Sequence, residues 1–275
     1  MSKLITLLII DFLEGLFDFL GNEMLTGIVP LALHAEEHMK NLGIDGFSTL
    51  FRIFLDFGIS LIILKFLKKG FEIYVLWSDG DADSDPVQLL TNFFRAMAIA
   101  LTFPVLYSWL AKIIEDFSNQ ALNAIGLNAN TSFPALISTL TTASFFSVLA
   151  FLVFFIIFIL LYIQFIRKGL EILILRIGLP LACVGLMDAD KGVFRTYIQK
   201  FFQSTLTVLV QVVLAKLGLS LMFSGHLFWG IAAEYFAVKT PSFLQEFLIF
   251  SGGGGMVNNI YSSARLVQMF KNVVK

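Results

Sequence analysis

Residues 143–166, ASFFSVLAFLVFFIIFILLYIQFI, run for 24 positions without a formal charge. As a helix this stretch rises roughly 36 Å, more than the ~30 Å hydrocarbon core of a bilayer. Arg167 and Lys168 close it, as cations do at a membrane boundary. Lipid offers no partner to an exposed backbone N–H or C=O, so a chain built around such a segment must be helical there. The composition agrees, being 57% hydrophobic and only 14% charged, against about 25% charged in a soluble domain. A net charge of −1 gives no electrostatic basis for tight nucleic-acid binding. The single Cys183 excludes an internal disulfide and a multi-cysteine metal site.

Residues 4–20 place Asp11, Glu14 and Asp18 three and four apart on one face of an otherwise apolar helix. Membrane-surface helices usually carry a basic face. This acidic one fits a helix packed on protein or lying on the outer leaflet, with a short damaged span as the alternative. Lys3 precedes the apolar run, but the three acids break it and no small-residue cleavage motif follows, so no cleavable signal peptide of the usual form is expected.

The first span is 47–70, crowded at its end by Lys65, Lys68 and Lys69. Arg52 and Asp56 lie four apart inside it. Unpaired charges there are costly, so they pair with each other or with a neighbouring helix, or line a polar path. Asp85–Pro86 suits a helix start and opens a second span, 88–112, interrupted by Arg95 and by Pro104, which removes a backbone bond. After the 143–166 span comes a weaker apolar segment, 169–187, carrying Glu171, Arg176, Gly178 and Pro180. Its Gly178, Ala182 and Gly185 form a small-residue stripe that allows close helix approach. It either crosses or dips in and returns. A further span, 201–224, contains Gln203, Gln211 and Lys216. The two glutamines share nearly one face and favour an inward polar stripe; Lys216 snorkels outward or faces the interior. Residues 226–250 are amphipathic and broken at Lys239–Pro241.

The lysines after the first span put residues 70–87 in the cytoplasm, and the 113–142 loop, free of Lys and Arg, outside. Arg167, Lys168, Arg176, Lys191, Arg195 and Lys200 are then all cytoplasmic only if 169–187 is re-entrant, which is the preferred reading. It gives an external N-terminus and at least four full spans. The expected fold is all-α: a polytopic transmembrane helical bundle with a re-entrant or broken helix at Gly178–Pro180, another break near Pro241, and amphipathic terminal helices. Residues 1–44 form an extracytoplasmic segment and 45–251 the transmembrane domain. In 252–275, the run Gly252, Gly253, Gly254 and Gly255 acts as a hinge before a C-terminal helix.

Chemistry-bearing motifs are weak. HAEEH, residues 34–38, matches a zinc-protease pattern, but no third ligand is visible and a polar, solvated helix end explains it. Asp79, Asp81, Asp83 and Asp85 resemble the start of a calcium loop, yet the sixth position is Ser84 and the twelfth Leu90, so an acidic docking loop is the better reading. SGGGGM lacks the Lys and Ser/Thr of a phosphate loop. No cofactor or catalytic group is expected.

Three stretches carry a family resemblance. Tyr74-Val-Leu-Trp77 leads through the Asp-rich turn and Asp85-Pro86 to Leu89-Leu-Thr-Asn-Phe-Phe. Phe103-Pro104-Val-Leu-Tyr107 follows in the next span. Lys239-Thr-Pro241-Ser-Phe-Leu then precedes Ser251-Gly-Gly-Gly-Gly255-Met and a terminal helix containing Ala264-Arg265-Leu-Val-Gln-Met-Phe. Together they resemble the TrbL-like polytopic membrane subunits of type IV secretion systems, in the form found in Gram-positive conjugative elements, over most of residues 45–275. The resemblance implies a non-enzymatic channel or scaffold subunit in the cytoplasmic membrane. Its implied partners are other secretion subunits, the motor ATPases, membrane lipid, the translocating single-stranded DNA–relaxase complex and further copies of itself. The chain lacks the long hydrophilic tail of some Gram-negative relatives. On this reading Arg52, Asp56, Arg95, Arg176, Gln211 and Lys216 pair within the bundle or line a hydrated path. The loops 78–86 and 188–200, with Lys191 and Arg195, dock cytoplasmic partners. A secondary transporter for a small solute is the alternative, because such proteins use interrupted helices and intramembrane charges.

Overall fold

A computed structural model describes residues 5, 7–13, 15, 28–78, 86–124, 144–188 and 191–248. Asp79, Asp81, Asp83 and Asp85, the Gly252–Gly255 hinge and the C-terminal helix lie outside the described residues. Among those described, the elements are helices: α1 (Ile28–Leu33), α2 (Ala35–Asn41), α3 (Phe47–Ser78), α4 (Pro86–Ala124), α5 (Phe145–Cys183), a 3-10 turn (Val184–Met187), α6 (Gly192–Phe223) and α7 (Leu227–Leu248). The chain divides between Thr240 and Pro241 into two units.

Local chemistry sets the helix starts. α4 begins on Pro86, whose missing N–H costs nothing in a first turn. Ser144 caps α5, its hydroxyl accepting from the Ser147 N–H at 3.3 Å. Inside the helices, Ser60, Thr91, Thr102, Thr205, Thr207 and Thr240 return their hydroxyls to the carbonyl four residues back, so each of these hydroxyls finds a partner within its own helix.

Among the described residues, three helices are long and apolar enough to cross a membrane: α4 over Pro86–Ala121, α5 with its 3-10 turn over Phe145–Met187, and α6 over Gly192–Met222. The expectation of at least four full spans concerns the whole chain, of which residues 125–143 and 249–275 lie outside the described residues. Helix α3, expected as the first span, is 32 residues long, enough to cross.

A correction concerns the breaks. Helix α5 continues through Gly178 and Pro180, so the chain does not turn back there, and the expected re-entrant segment is the second half of one 39-residue helix. Helix α4 likewise runs through Pro104 and α7 through Pro241. A proline inside a helix loses one hydrogen bond, and packing from neighbouring helices can hold the turn together regardless. At Pro180 that packing is visible. A Cβ on Gly58 of α3 would stand 2.6 Å from the Pro180 Cβ, so only glycine lets the two helices touch.

The helices meet in consistent directions. Along α3, Phe51 lies at Arg176, Gly58 at Pro180 and Lys65 at Val184, so α3 runs parallel to the second half of α5. α4 returns beside α3, with Phe66 and Phe93 rings 4.5 Å apart. α6 runs back along α5, with Tyr197 donating to the Leu175 carbonyl at 3.0 Å and Ser204 reaching Glu171. The small-residue stripe serves this contact: Gly178 faces the Tyr197 hydroxyl, and Gly185 faces Val193 and Phe194. α7 returns beside α6 through Ala237 and Gln211.

Two hydrophobic cores result, one above the other along α5. The first joins Phe154, Phe158 and Phe165 of α5 to Val208 and Val212 of α6, and takes in Ile10, Leu13 and all of α1 but Pro30. The second joins Leu179, Cys183 and Met187 to Ile62 of α3 and to Leu89 and Ala100 of α4. α1 is drawn in closely, because a Cβ on Gly169 would lie 2.5 Å from the Leu31 carbonyl oxygen.

Candidate functional site

Charged groups gather where the two cores meet. Arg176 of α5 pairs with Glu36 of α2, and both side chains are mostly buried. Its guanidinium lies 3.8 Å from the Tyr107 ring centroid and 5.0 Å from that of Phe51, so α3 and α4 supply aromatic faces to the cation. The Tyr107 hydroxyl donates to the Leu33 carbonyl at the end of α1. His34 Nε2 stands 3.4 Å from Glu115 of α4. One guanidinium and one phenol thus tie five helices together. This corrects the solvated reading of HAEEH, whose Glu36 is an interior ion-pair partner.

A second group lies one turn away. Glu171 receives Lys168 at 2.6 Å, Lys200 at 3.2 Å and the Ser204 hydroxyl at 2.8 Å. A third closes the far end of α5. Lys65 Nζ reaches Asp188 at 2.7 Å and the Val184 carbonyl at 3.4 Å, while Lys69 stands 3.6 Å from Asp188 and donates to the Met187 carbonyl. Two cations therefore meet the negative end of the helix dipole. Burial raises the Asp188 carboxyl, but hydrogen bonding and charge from Lys65 and then Lys69 outweigh it and hold the pKa below its ordinary value.

That sign fixes a prediction. A lowered folded-state pKa stabilises the fold above the unfolded value of about 3.9, and the contribution disappears as pH falls through the lowered one. Asp188→Asn should therefore melt below the parent at neutral pH, and the gap should close below about pH 4. A gap independent of pH, followed by fluorescence in detergent, would exclude this role for Asp188.

The sequence candidates do not converge on one path. Arg52 and Asp56 do pair along the helix, at 4.0 Å, but on an exposed face, with side chains 83% and 70% accessible. Arg95 is exposed on α4. Gln211 is fully buried in the first core, donating to Gln164 at 3.0 Å and the Ala237 carbonyl at 3.1 Å. Lys216 is half-buried on α6 and makes no ion pair among the described residues. Lys191 precedes α6 with left-handed backbone (φ 51°), and Arg195 is exposed on its first turn. Arg52 and Arg176 are brought together, with Pro104 and Pro180, around a cavity of about 310 Å³.

Several groups of consequence escape sequence reasoning. Glu36 and Arg176 are 140 residues apart and Lys65 and Asp188 are 123 apart, so no local spacing signals either pair. Lys65 and Lys69 do share a helix face, a legible hint of a common acceptor. Glu234 is the other surprise. It is fully buried on α7, and neither carboxylate oxygen has a hydrogen-bond partner among the described residues.

These features define an all-helical membrane protein with ion pairs in its interior and one buried acid, Glu234, that has no hydrogen-bond partner among the described residues, where no group of three metal-ligating side chains occurs either. The family model described as conjugal transfer protein TrbL matches residues 1–275, and the chain belongs to that family. The match extends the resemblance over the first 44 residues. It makes the chain a subunit of conjugal transfer machinery of the type IV secretion kind. No curated protein and no solved structure matches the chain.

Proposed function

We propose that this chain is a structural channel or scaffold subunit of a conjugative type IV secretion system in the cytoplasmic membrane, helping to move a single-stranded DNA–relaxase complex. One observation supports the assembly role most directly. The Phe145–Met187 segment is 43 residues long, roughly 64 Å at helical rise. Tilted by 40°, near the observed limit, a helix needs only about 26 residues to cross ~30 Å of hydrocarbon. About 17 residues therefore lie outside lipid. Yet large apolar side chains are exposed beside both cores: Phe146, Ile156 and Ile163 along the first, Leu64, Phe94 and Leu101 along the second. One bilayer cannot cover both levels, so other protein must cover one of them, whether further copies, other secretion subunits or the motor ATPases.

The solute-transporter alternative loses its main support. It rested on interrupted helices, and α4, α5 and α7 run through their prolines. With energy supplied by partners, the chain itself has no enzymatic task. The interior ion pairs would then hold the bundle rigid, and exposed Arg95 and Arg195 remain available for docking.

Deleting only this gene from a donor should abolish transconjugants, and restoring it in trans should recover them. A photo-crosslinking residue at Ile163 or at Leu64 should give protein adducts at one of the two positions in a donor with all transfer genes. Lipid adducts alone at both positions, or undiminished transfer without the gene, would end the proposal.

A further inference from the structure

The cavity at the junction of the two cores is lined by three helices. Phe51, Arg52 and Leu55 come from α3, Ala100, Phe103 and Pro104 from α4, and Arg176, Ile177 and Pro180 from α5. Its shape follows from the Gly58–Pro180 contact, which pins α3 to α5 at one end. Between the three helices a space of about 310 Å³ remains, at the small end of ligand sites. The lining is apolar apart from two guanidinium groups and backbone. Pro104 and Pro180 also remove the helical N–H partners of the Ala100 and Arg176 carbonyls, and all four residues line this one cavity. Two acceptors are thereby freed beside two cations.

The two cations differ in availability. Arg176 is engaged by Glu36 and covered by two aromatic rings. Arg52 is mostly exposed, and its loose contact with Asp56 at 4.0 Å leaves its donors open. Around Arg52 the surface is apolar: Ile53 and Phe57 on α3, Leu101 and Val105 on α4 are all exposed. A water-soluble anion would find a cation set in a greasy face. An amphiphile with an anionic head and an alkyl chain finds both of its halves matched.

We propose that this cleft binds an anionic phospholipid, its phosphate at the Arg52 guanidinium and one acyl chain between α3, α4 and α5. The Arg fork suits a phosphate better than a lysine would. The Asp56 carboxylate opposes the phosphate and limits the affinity. A bound lipid would bridge the three helices that line the cleft.

The full chain in detergent micelles, titrated with phosphatidylglycerol or phosphatidylcholine and followed by native mass spectrometry, tests this. Phosphatidylglycerol should be retained preferentially. Arg52→Gln should cost about tenfold in its affinity, the loss of one charge-assisted contact, and bring it to the phosphatidylcholine level. Asp56→Asn should increase it. Leu55→Trp, which fills the cavity from a half-exposed position, should reduce retention of both lipids. Inorganic phosphate should not compete at millimolar concentration; if it displaces the lipid, the site is an anion site and not a lipid cleft. Equal retention of both lipids by the parent, or undiminished phosphatidylglycerol binding by Arg52→Gln and Leu55→Trp, would overturn the proposal.

Discussion

Replacing Arg176 by methionine should destabilise the folded protein by about 3 kcal/mol, the usual cost of leaving one member of a buried ion pair without its partner. The loss has two sources. Glu36, mostly buried, keeps one oxygen with no hydrogen-bond partner even in the parent, and the substitution strips the other. Tyr107 and Phe51 lose the cation between their rings as well. The double variant Glu36→Gln with Arg176→Met should regain most of that stability, because it removes the orphaned charge with the pair. Unfolding in mixed detergent, arranged as a double-mutant cycle, reads the coupling. A single Arg176→Met variant as stable as the parent would mean that the pair does not hold α2 to α5.

Glu234 should behave in the opposite way. Replacing it by methionine, of similar length, should stabilise the fold by about 1–3 kcal/mol, the cost of a buried polar group without a partner. Size must be kept, because Gly218 of α6 lies directly against the carboxylate; a Cβ there would stand 2.6 Å from Oε2. A stabilised Glu234→Met protein that no longer supports mating would mark the carboxyl as functional. Unchanged mating would make it a tolerated defect. Lower stability with methionine would show that the oxygens have partners after all.

Much of this architecture is readable along the chain. The uncharged run after Ser144 gives a helix, Pro86 gives a start, and Gly178, Ala182 and Gly185 give a close helix contact. All of these depend on neighbours within one or two turns. The errors share a cause. Pro180 and Pro241 carry a strong local instruction to break, and at Pro180 the pressure of α3 on the ring overrides it. The pairing of Arg52 with Asp56 is readable because it is local, whereas the belt around Arg176 is not. Its members come from α2, α3, α4 and α5, and no periodicity links a glutamate at 36 to an arginine at 176. The acid at 234 differs again: a lone Glu in LFWGIAAEYFAV is conspicuous, but only the fold shows that nothing among the described residues answers it.

The Glu36–Arg176 pair also has a temporal side. The two residues are separated by 140 positions, and ribosomes add roughly 5–20 residues per second. For about 7–28 s after Glu36 is made, its partner does not exist. Helix α1 is buried in the finished protein at every residue but Pro30 and lies against Gly169, which is also not yet synthesised. The first helices to leave the ribosome are therefore among the last to settle, and must wait at a water-accessible surface or in the insertion machinery until α5 arrives. Chains interrupted before residue 176 would present an unburied IVPLAL helix and an unmatched carboxylate, the sort of surface that membrane proteases recognise.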